Sequence, residues 1–215
     1  RMECLERRIV LSADPLVDSI LFDDSEDALL IGPGETLDGN QTIIGNVVNQ
    51  GVLSPGNSPG IIEINGNLTV SGDDVDVIDN GYPTPGDSDT VGTLRVEIGG
   101  LSAGPGDPVI DNGYDQIQVT QDLTLGGNLE IVLINDFLPS AENTFDILTY
   151  DGTFDGSFDD VTGIYGFGDG SLYFDIVHDA ANKVIQLTVN EVPNGLDFEL
   201  DESGDDDDTF GKLLS

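Results

Sequence analysis

The stretch that decides the fold is GNVVNQGVLSPGNSPGIIEINGNLTVSG, residues 45–72. In it, short runs of Val, Ile and Leu alternate with clusters of Gly, Asn and Pro, the residues that punctuate strands with tight turns. Helices are not indicated, because 28 Gly and 10 Pro interrupt the chain and no apolar stripe of 3.6-residue period persists. The sequence therefore predicts an all-β fold. Further strand-like runs are TIIGNVV at 42–48, TLRVEI at 93–98, NLEIVLI at 128–134 and VIQLTV at 184–189.

Weak internal repetition accompanies these runs. NGNLTVSG at 65–72 resembles TQDLTLGG at 120–127, and the hexamer VIDNGY occurs at 77–82 and again at 109–114. Approximate repetition of strand and turn is typical of a solenoid, in which each coil buries its inner side chains by stacking on the next. We therefore expect a short β-solenoid (β-helix) over residues 32–190, with about eight coils of about 20 residues each. A β-sandwich produces a similar pattern and stays open as the alternative.

Two segments flank this predicted domain. Residues 1–31 contain the apolar runs IVL, LVDSILF and ALLI, which would be costly to leave in water. They are therefore interpreted as an N-terminal leader or a subunit-contact segment. Residues 191–215 include four consecutive Asp and are interpreted as an acidic C-terminal tail.

The charge of the chain restricts its partners. Asp and Glu total 42 against 6 Lys and Arg, which gives a formal net charge of -36. Nucleic acid and anionic membrane surfaces are repelled by such a chain, so neither is an expected partner. No run of about 18 apolar residues is present, so membrane insertion is not expected either. Self-repulsion of this size predicts that screening ions or divalent cations stabilise the folded protein.

Two acidic, glycine-containing stretches are candidate calcium sites. They are DNGYPTPGDSD at 79–89 and PGDPVIDNGYD at 105–115. Calcium takes six to eight oxygen ligands, which carboxylates and the carbonyls of such turns supply. The alternative is that these are ordinary Asn-Gly and Asp-Gly turns with solvated acids. The candidate ligands are Asp79, Asp87, Asp89, Asp107, Asp111 and Asp115.

Catalytic groups are scarce. His178 is the single histidine, Cys4 the single cysteine, and Arg95 and Lys183 are the only basic residues between 9 and 211. Nucleophilic catalysis needs a base beside its nucleophile, and the lyases and pectin-type hydrolases built on β-helices use basic or imidazole groups beside their acids. We therefore expect no enzymatic activity, no catalytic residues and no cofactor other than calcium.

Residues 45–72, with PGNSPG at 55–60 as their most specific motif, closely resemble the passenger-type right-handed β-helix of bacterial autotransporters and related surface proteins. Residues 114–158 are similar to the continuation in that family, where an aromatic-rich segment closes the coil. LERRIVLSAD at 5–14 resembles the Leu-Glu-Pro-Arg type motif near the start of large exported bacterial surface proteins, with Arg7 in place of Pro and Val10 in place of Leu. The resemblance implies an elongated scaffold that is extracellular or held at the bacterial cell surface.

These features together predict a non-enzymatic exported structural protein of the bacterial surface or extracellular matrix. We expect it to assemble into fibres by head-to-tail β contacts between identical subunits, stabilised by divalent cations. The competing prediction is a surface adhesin or glycan-binding module that uses aromatic side chains. Trp is absent, so such a module would depend on the tyrosines Tyr82, Tyr114, Tyr150, Tyr165 and Tyr173.

Overall fold

The computed structural model describes residues 28–56, 59–72, 91–106 and 112–192, together with strand backbone at 10–11 and 19–21. These residues form three β-sheets and one 3-10 turn at 168–170, with no α-helix among them. The all-β prediction is confirmed. Sheet 1 has nine strands in the order β1 (Val10–Leu11), β2 (Ser19–Leu21), β5 (Gln41–Ile44), β8 (Ile61–Asn65), β11 (Gln116–Val119), β14 (Thr144–Tyr150), β19 (Val184–Glu191), β18 (Leu172–Asp179) and β17 (Tyr165–Phe167).

Sheets 2 and 3 contain five strands each. Sheet 2 has the order β3 (Ala28–Ile31), β6 (Asn46–Asn49), β9 (Leu68–Val70), β12 (Leu123–Leu125) and β15 (Phe154–Gly156). Sheet 3 has the order β4 (Thr36–Gly39), β7 (Val52–Pro55), β10 (Thr93–Ile98), β13 (Asn128–Leu133) and β16 (Asp160–Thr162).

Strand pairing follows a simple rule from β3 to β16. The chain visits sheet 2, sheet 3 and sheet 1 in turn, and each strand from β3 to β13 pairs in parallel with the strand three positions later. The pairing aligns apolar residues on one another, as where Ile62 pairs with Ile117 and Ile117 pairs with Leu148. Apolar side chains therefore form continuous rows from strand to strand, which gives the core its continuity.

The number of parallel strands per sheet is smaller than expected. Val47 pairs with Leu68, 21 residues later (68 − 47), but Leu68 pairs with Leu123, 55 residues later (123 − 68). Long connections before and after β10 account for the second interval, and the C-terminal strands β17 to β19 leave the parallel pattern. Among the described residues, sheets 2 and 3 thus have five strands each rather than the expected eight coils.

Alternation along the strands places the core. In β10, Leu94, Val96 and Ile98 are buried while Arg95 and Glu97 are only partly buried on the opposite side of the strand. A period of two is the signature of a strand with one face inside. At the corner before β13, Gly127 has a φ of +63°, and a Cβ there would lie 2.2 Å from the carbonyl oxygen of Gly92. Only glycine fits at that corner.

The C-terminal strands extend sheet 1 in antiparallel fashion. β19 pairs with β14, β18 pairs with β19, and β17 forms the edge. A cluster of aromatic rings packs beneath them, with Phe145 in edge-to-face contact with Tyr114 and Phe174. This cluster covers the end of the core near β14.

The sheets begin before residue 32. β1, β2 and β3 lie within residues 1–31, the segment interpreted as a leader or subunit contact, and β3 pairs in parallel with β6. Ile31 is 3% exposed and belongs to the core. At the other end, β19 runs to Glu191, and the acidic tail beyond residue 192 lies outside the described residues.

Candidate functional site

One of the six candidate calcium ligands, Asp115, lies among the described residues. Its side chain is fully buried, with Oδ1 accepting a hydrogen bond from the Gly60 N–H at 2.6 Å and Oδ2 accepting one from the Glu97 N–H at 2.9 Å. The carboxylate thereby ties the end of the PGNSPG motif to β10. The other five candidates, Asp79, Asp87, Asp89, Asp107 and Asp111, lie outside the described residues.

The structure therefore gives Asp115 a role in holding the backbone. Within the described ranges, no group of three or more His, Cys, Asp and Glu side chains is arranged to hold a metal ion. The calcium sites at 79–89 and 105–115 stay a prediction, since their other candidate ligands lie outside the described residues.

Burial perturbs the ionisation of Asp115. Burial away from solvent is the main cause that raises its pKa to about 7, and the nearby negative charge of Glu97 acts in the same direction. The two N–H donors and Arg95 act in the opposite direction, because they favour the ionised form. This buried carboxyl thus changes charge close to neutral pH, unlike an ordinary surface aspartate.

A second polar feature, which we name the corner ladder, runs along the corner that leads into sheet 2. It consists of Asn46, Asn67, Asp122 and Thr153, which occupy equivalent positions at the starts of four successive strands of sheet 2. The N–H of Asn67 donates to Asn46 Oδ1 at 2.9 Å, and the N–H of Asp122 donates to Asn67 Oδ1 at 3.0 Å. The N–H of Thr153 completes the series by donating to Asp122 Oδ1 at 2.7 Å. Side chains thus satisfy backbone donors that the turn leaves without a strand partner.

The corner ladder was not identified from the sequence. The sequence feature that could have indicated it is the similarity between NGNLTVSG and TQDLTLGG. This similarity aligns Asn67 with Asp122, each immediately before a Leu-Thr pair. The hydrogen bonds of Thr153 lower the pKa of Asp122, so its carboxylate is well suited to act as a fixed acceptor.

Replacing Asn67 by alanine should lower the free energy of unfolding by about 1 kcal/mol, because the Asp122 N–H then lacks its acceptor. Urea unfolding followed by circular dichroism measures this. Asn67→Asp is the matched variant, since it keeps an acceptor oxygen, and it should lose less. Equal losses in the two variants would show that the hydrogen bond does not stabilise the corner.

The single histidine lies in a small aromatic cluster. His178 Nε2 is 2.7 Å from the Tyr150 hydroxyl, and the His178 ring lies 4.0 Å from that of Phe154 between centroids. The neighbouring carboxylate of Asp179 accepts hydrogen bonds from the N–H groups of Ala181 and Asn182, so it is engaged in its own turn. Asp179 therefore does not orient His178 in the way that the carboxylate of a catalytic triad orients its histidine.

Of the four described tyrosines, two are buried, one is partly buried (Tyr173) and one is exposed (Tyr165). Tyr114 and Tyr150 are 7% and 5% exposed and belong to the core. Tyr165 is 72% exposed and lies beside Tyr173, with ring centroids 5.9 Å apart and planes inclined by 30°. Tyr82 lies outside the described residues. The exposed aromatic surface on the described strands is thus concentrated at the end of sheet 1.

The ends of sheets 2 and 3 expose strand edges. β3 and β15 end sheet 2, and β4 and β16 end sheet 3, each with a described partner strand on one side only. Unpaired N–H and C=O groups of an edge strand are a template for another strand.

No helix in the described ranges is long and apolar enough to span a membrane. In comparisons with known proteins, no protein-family model matches the chain and no curated protein is significantly similar to it.

Proposed function

We propose that the chain is an exported, non-enzymatic structural protein of the bacterial surface or extracellular matrix, built as a β-solenoid. The observation that supports this most is the parallel pairing of every strand from β3 to β13 with the strand three positions later. A β-sandwich is made of antiparallel sheets, so this pairing favours the solenoid over the sandwich. Right-handed coiling is expected from the resemblance of residues 45–72 to passenger-type β-helices.

Export rests on the sequence. The Leu-Glu-Arg-Arg motif at 5–8 and the PGNSPG stretch both resemble segments of exported bacterial surface proteins. The proposed absence of catalytic activity rests on the sequence, in which His178 is the single histidine and basic residues are scarce.

Self-assembly is supported by the ends of the fold. At the N-terminal end, β2 and β1 extend sheet 1, and Leu30 of the edge strand β3 is 37% exposed. At the opposite end, β17 is the edge of sheet 1. A contact that joins one end of a subunit to the other end of the next does not close on itself and therefore propagates as a fibre. The N-terminal strands are proposed to form this contact.

Deletion of residues 1–22 tests the contact. This truncation removes β1 and β2 but leaves β3 and the buried Ile31, so the core should survive. In calcium and salt, the intact chain should sediment as large assemblies, and the truncated chain as a monomer with its β circular dichroism retained.

Deletion of residues 193–215 is the matched control, because it removes a terminal segment of similar length and should leave assembly intact. Assemblies of the N-terminally truncated chain, or a monomeric intact chain under the same conditions, would refute the proposed contact.

Calcium should raise the thermal stability. The chain has a net charge of -36, so its clustered carboxylates repel one another once bound cations are removed. Calcium at about 100 times its dissociation constant would contribute about 2.7 kcal/mol, or roughly 5–10 °C in melting temperature for a chain of this size. The comparison is made between excess calcium and excess chelator at equal ionic strength, with magnesium as the matched cation. Identical melting temperatures would count against bound calcium.

A further inference from the structure

The C-terminal strands of sheet 1 present a distinct outer face. Tyr165 of β17 pairs with Tyr173 of β18, and Tyr173 pairs with Asn190 of β19. Phe174 and Val189, the neighbours of Tyr173 and Asn190 in sequence, are 2% and 0% exposed. Because side chains alternate along a strand, Tyr165, Tyr173 and Asn190 lie on the side of the sheet away from the core.

The two tyrosines form a surface platform in which Tyr165 is exposed and Tyr173 is partly buried. Their rings lie 5.9 Å apart and are inclined by only 30°, and Tyr165 is 72% exposed. An aromatic ring offers a flat apolar surface, and a tyrosine hydroxyl adds a hydrogen-bonding group at its edge. By contrast, Tyr114 and Tyr150 are buried and hydrogen-bonded to the Asp146 N–H and to His178.

Hydrogen-bonding side chains lie beside the platform. Asp175 pairs with Thr188 in the next row of the same outer face, and Asn190 lies in register with Tyr173. The face thus combines aromatic rings with a carboxylate, a hydroxyl and an amide. We name this set the tyrosine face, and it comprises Tyr165, Tyr173, Asp175, Thr188 and Asn190.

The charge on this face decides which class of ligand fits. Its charged member is the acidic Asp175, with Asp146 in the following row, and the whole chain carries -36. A polyanionic ligand would be repelled. An uncharged polyhydroxyl ligand would not be, and its hydroxyl groups donate to a carboxylate and bind both ends of an amide. Such a ligand also needs an apolar surface to stack on the tyrosine rings.

We propose that the tyrosine face binds a neutral polysaccharide, with sugar rings stacked on Tyr165 and Tyr173 and hydroxyl groups bound by Asp175 and Asn190. The face lies on the outside of a sheet and is open at the edge strand β17, so an extended chain or an insoluble polymer surface fits it better than a single sugar. In the proposed fibre, β17 is also the edge that the N-terminal strands of the next subunit would meet, so binding is measured on the chain that lacks residues 1–22 as well as on the intact chain.

Depletion of the intact chain by insoluble cellulose and by insoluble chitin tests this binding, with alginate beads as the anionic polysaccharide. We expect retention on at least one neutral polymer and none on alginate. Tyr165→Ala and Tyr173→Ala should each weaken binding at least 10-fold, whereas Tyr165→Phe should keep most of it because the ring remains. Leu138→Ala is the control for a change at an exposed apolar side chain. Leu138 lies between β13 and β14, away from the tyrosines in sequence, and is 56% exposed.

Unchanged circular dichroism and unchanged sedimentation of the tyrosine variants separate a loss of binding from a loss of fold or assembly. The proposal is overturned if neither neutral polymer retains the intact chain, if both alanine variants bind like the intact chain, or if alginate is the polymer that binds. If the binding tests fail, the fibre proposal is unaffected. If the chain is monomeric but still binds a neutral polymer, the polysaccharide proposal is unaffected.

Discussion

Replacing Phe145 by alanine is expected to lower the free energy of unfolding by about 3–5 kcal/mol. The ring is fully buried in β14 and makes edge-to-face contacts with Tyr114 at 5.3 Å, Phe137 at 6.5 Å and Phe174 at 6.0 Å between centroids. Its removal leaves a cavity where the last parallel strand of sheet 1 meets the antiparallel strands. Domains are stable by only about 5–15 kcal/mol, so this single change should remove a large share of the stability.

Urea unfolding of the intact chain and of Phe145→Ala measures the loss. Leu138→Ala is the control, because Leu138 is an apolar side chain that is 56% exposed. This variant should change the free energy of unfolding by less than about 0.5 kcal/mol. Similar small losses in both variants would mean that the aromatic cluster does not hold the end of the core.

The protein should become more stable as the pH falls from 8 to 5.5, by about 2 kcal/mol from Asp115 alone. Burial raises the pKa of this carboxyl in the folded state to about 7, above its ordinary value of 3.8. Between these two values the folded state binds a proton that the unfolded state has released. The contribution is therefore fully present below the unfolded pKa and is lost as the pH rises through 7.

Asp115→Asn is the test variant, because its amide cannot titrate. We expect the difference in unfolding free energy between the intact chain and Asp115→Asn to favour the intact chain increasingly as the pH falls over this range. Every other titratable group is shared by the two proteins, so the difference isolates Asp115. A difference that stays constant from pH 8 to 5.5 would show that this carboxyl does not titrate in that window.

The strands were predictable because alternation and punctuation are local properties. TLRVEI at 93–98 coincides with β10, and NLEIVLI at 128–134 covers β13. TIIGNVV at 42–48, however, is two strands, β5 and β6, and the chain turns between them at Gly45, where φ is +126°. The turn was missed because it takes up a single residue, with β5 ending at Ile44 and β6 beginning at Asn46.

The polar contacts were not predictable, because they join residues distant in sequence. Asp115 lies 55 residues after Gly60, to which it is bonded, and in sequence it resembles any acid in a loop rich in Gly and Asn. Ile31 lies in a segment interpreted as a leader, and its pairing partner strand begins only at residue 46. Long connections of irregular length hide which residues stack, so the register had to come from the structure.

Electron microscopy of the purified intact chain in calcium and salt tests the central claim most directly. We expect unbranched fibres whose strands run across the fibre axis, with a spacing of about 4.8 Å between strands along it. Isolated particles, each no longer than a single subunit, at concentrations where calcium stabilises the protein would contradict it.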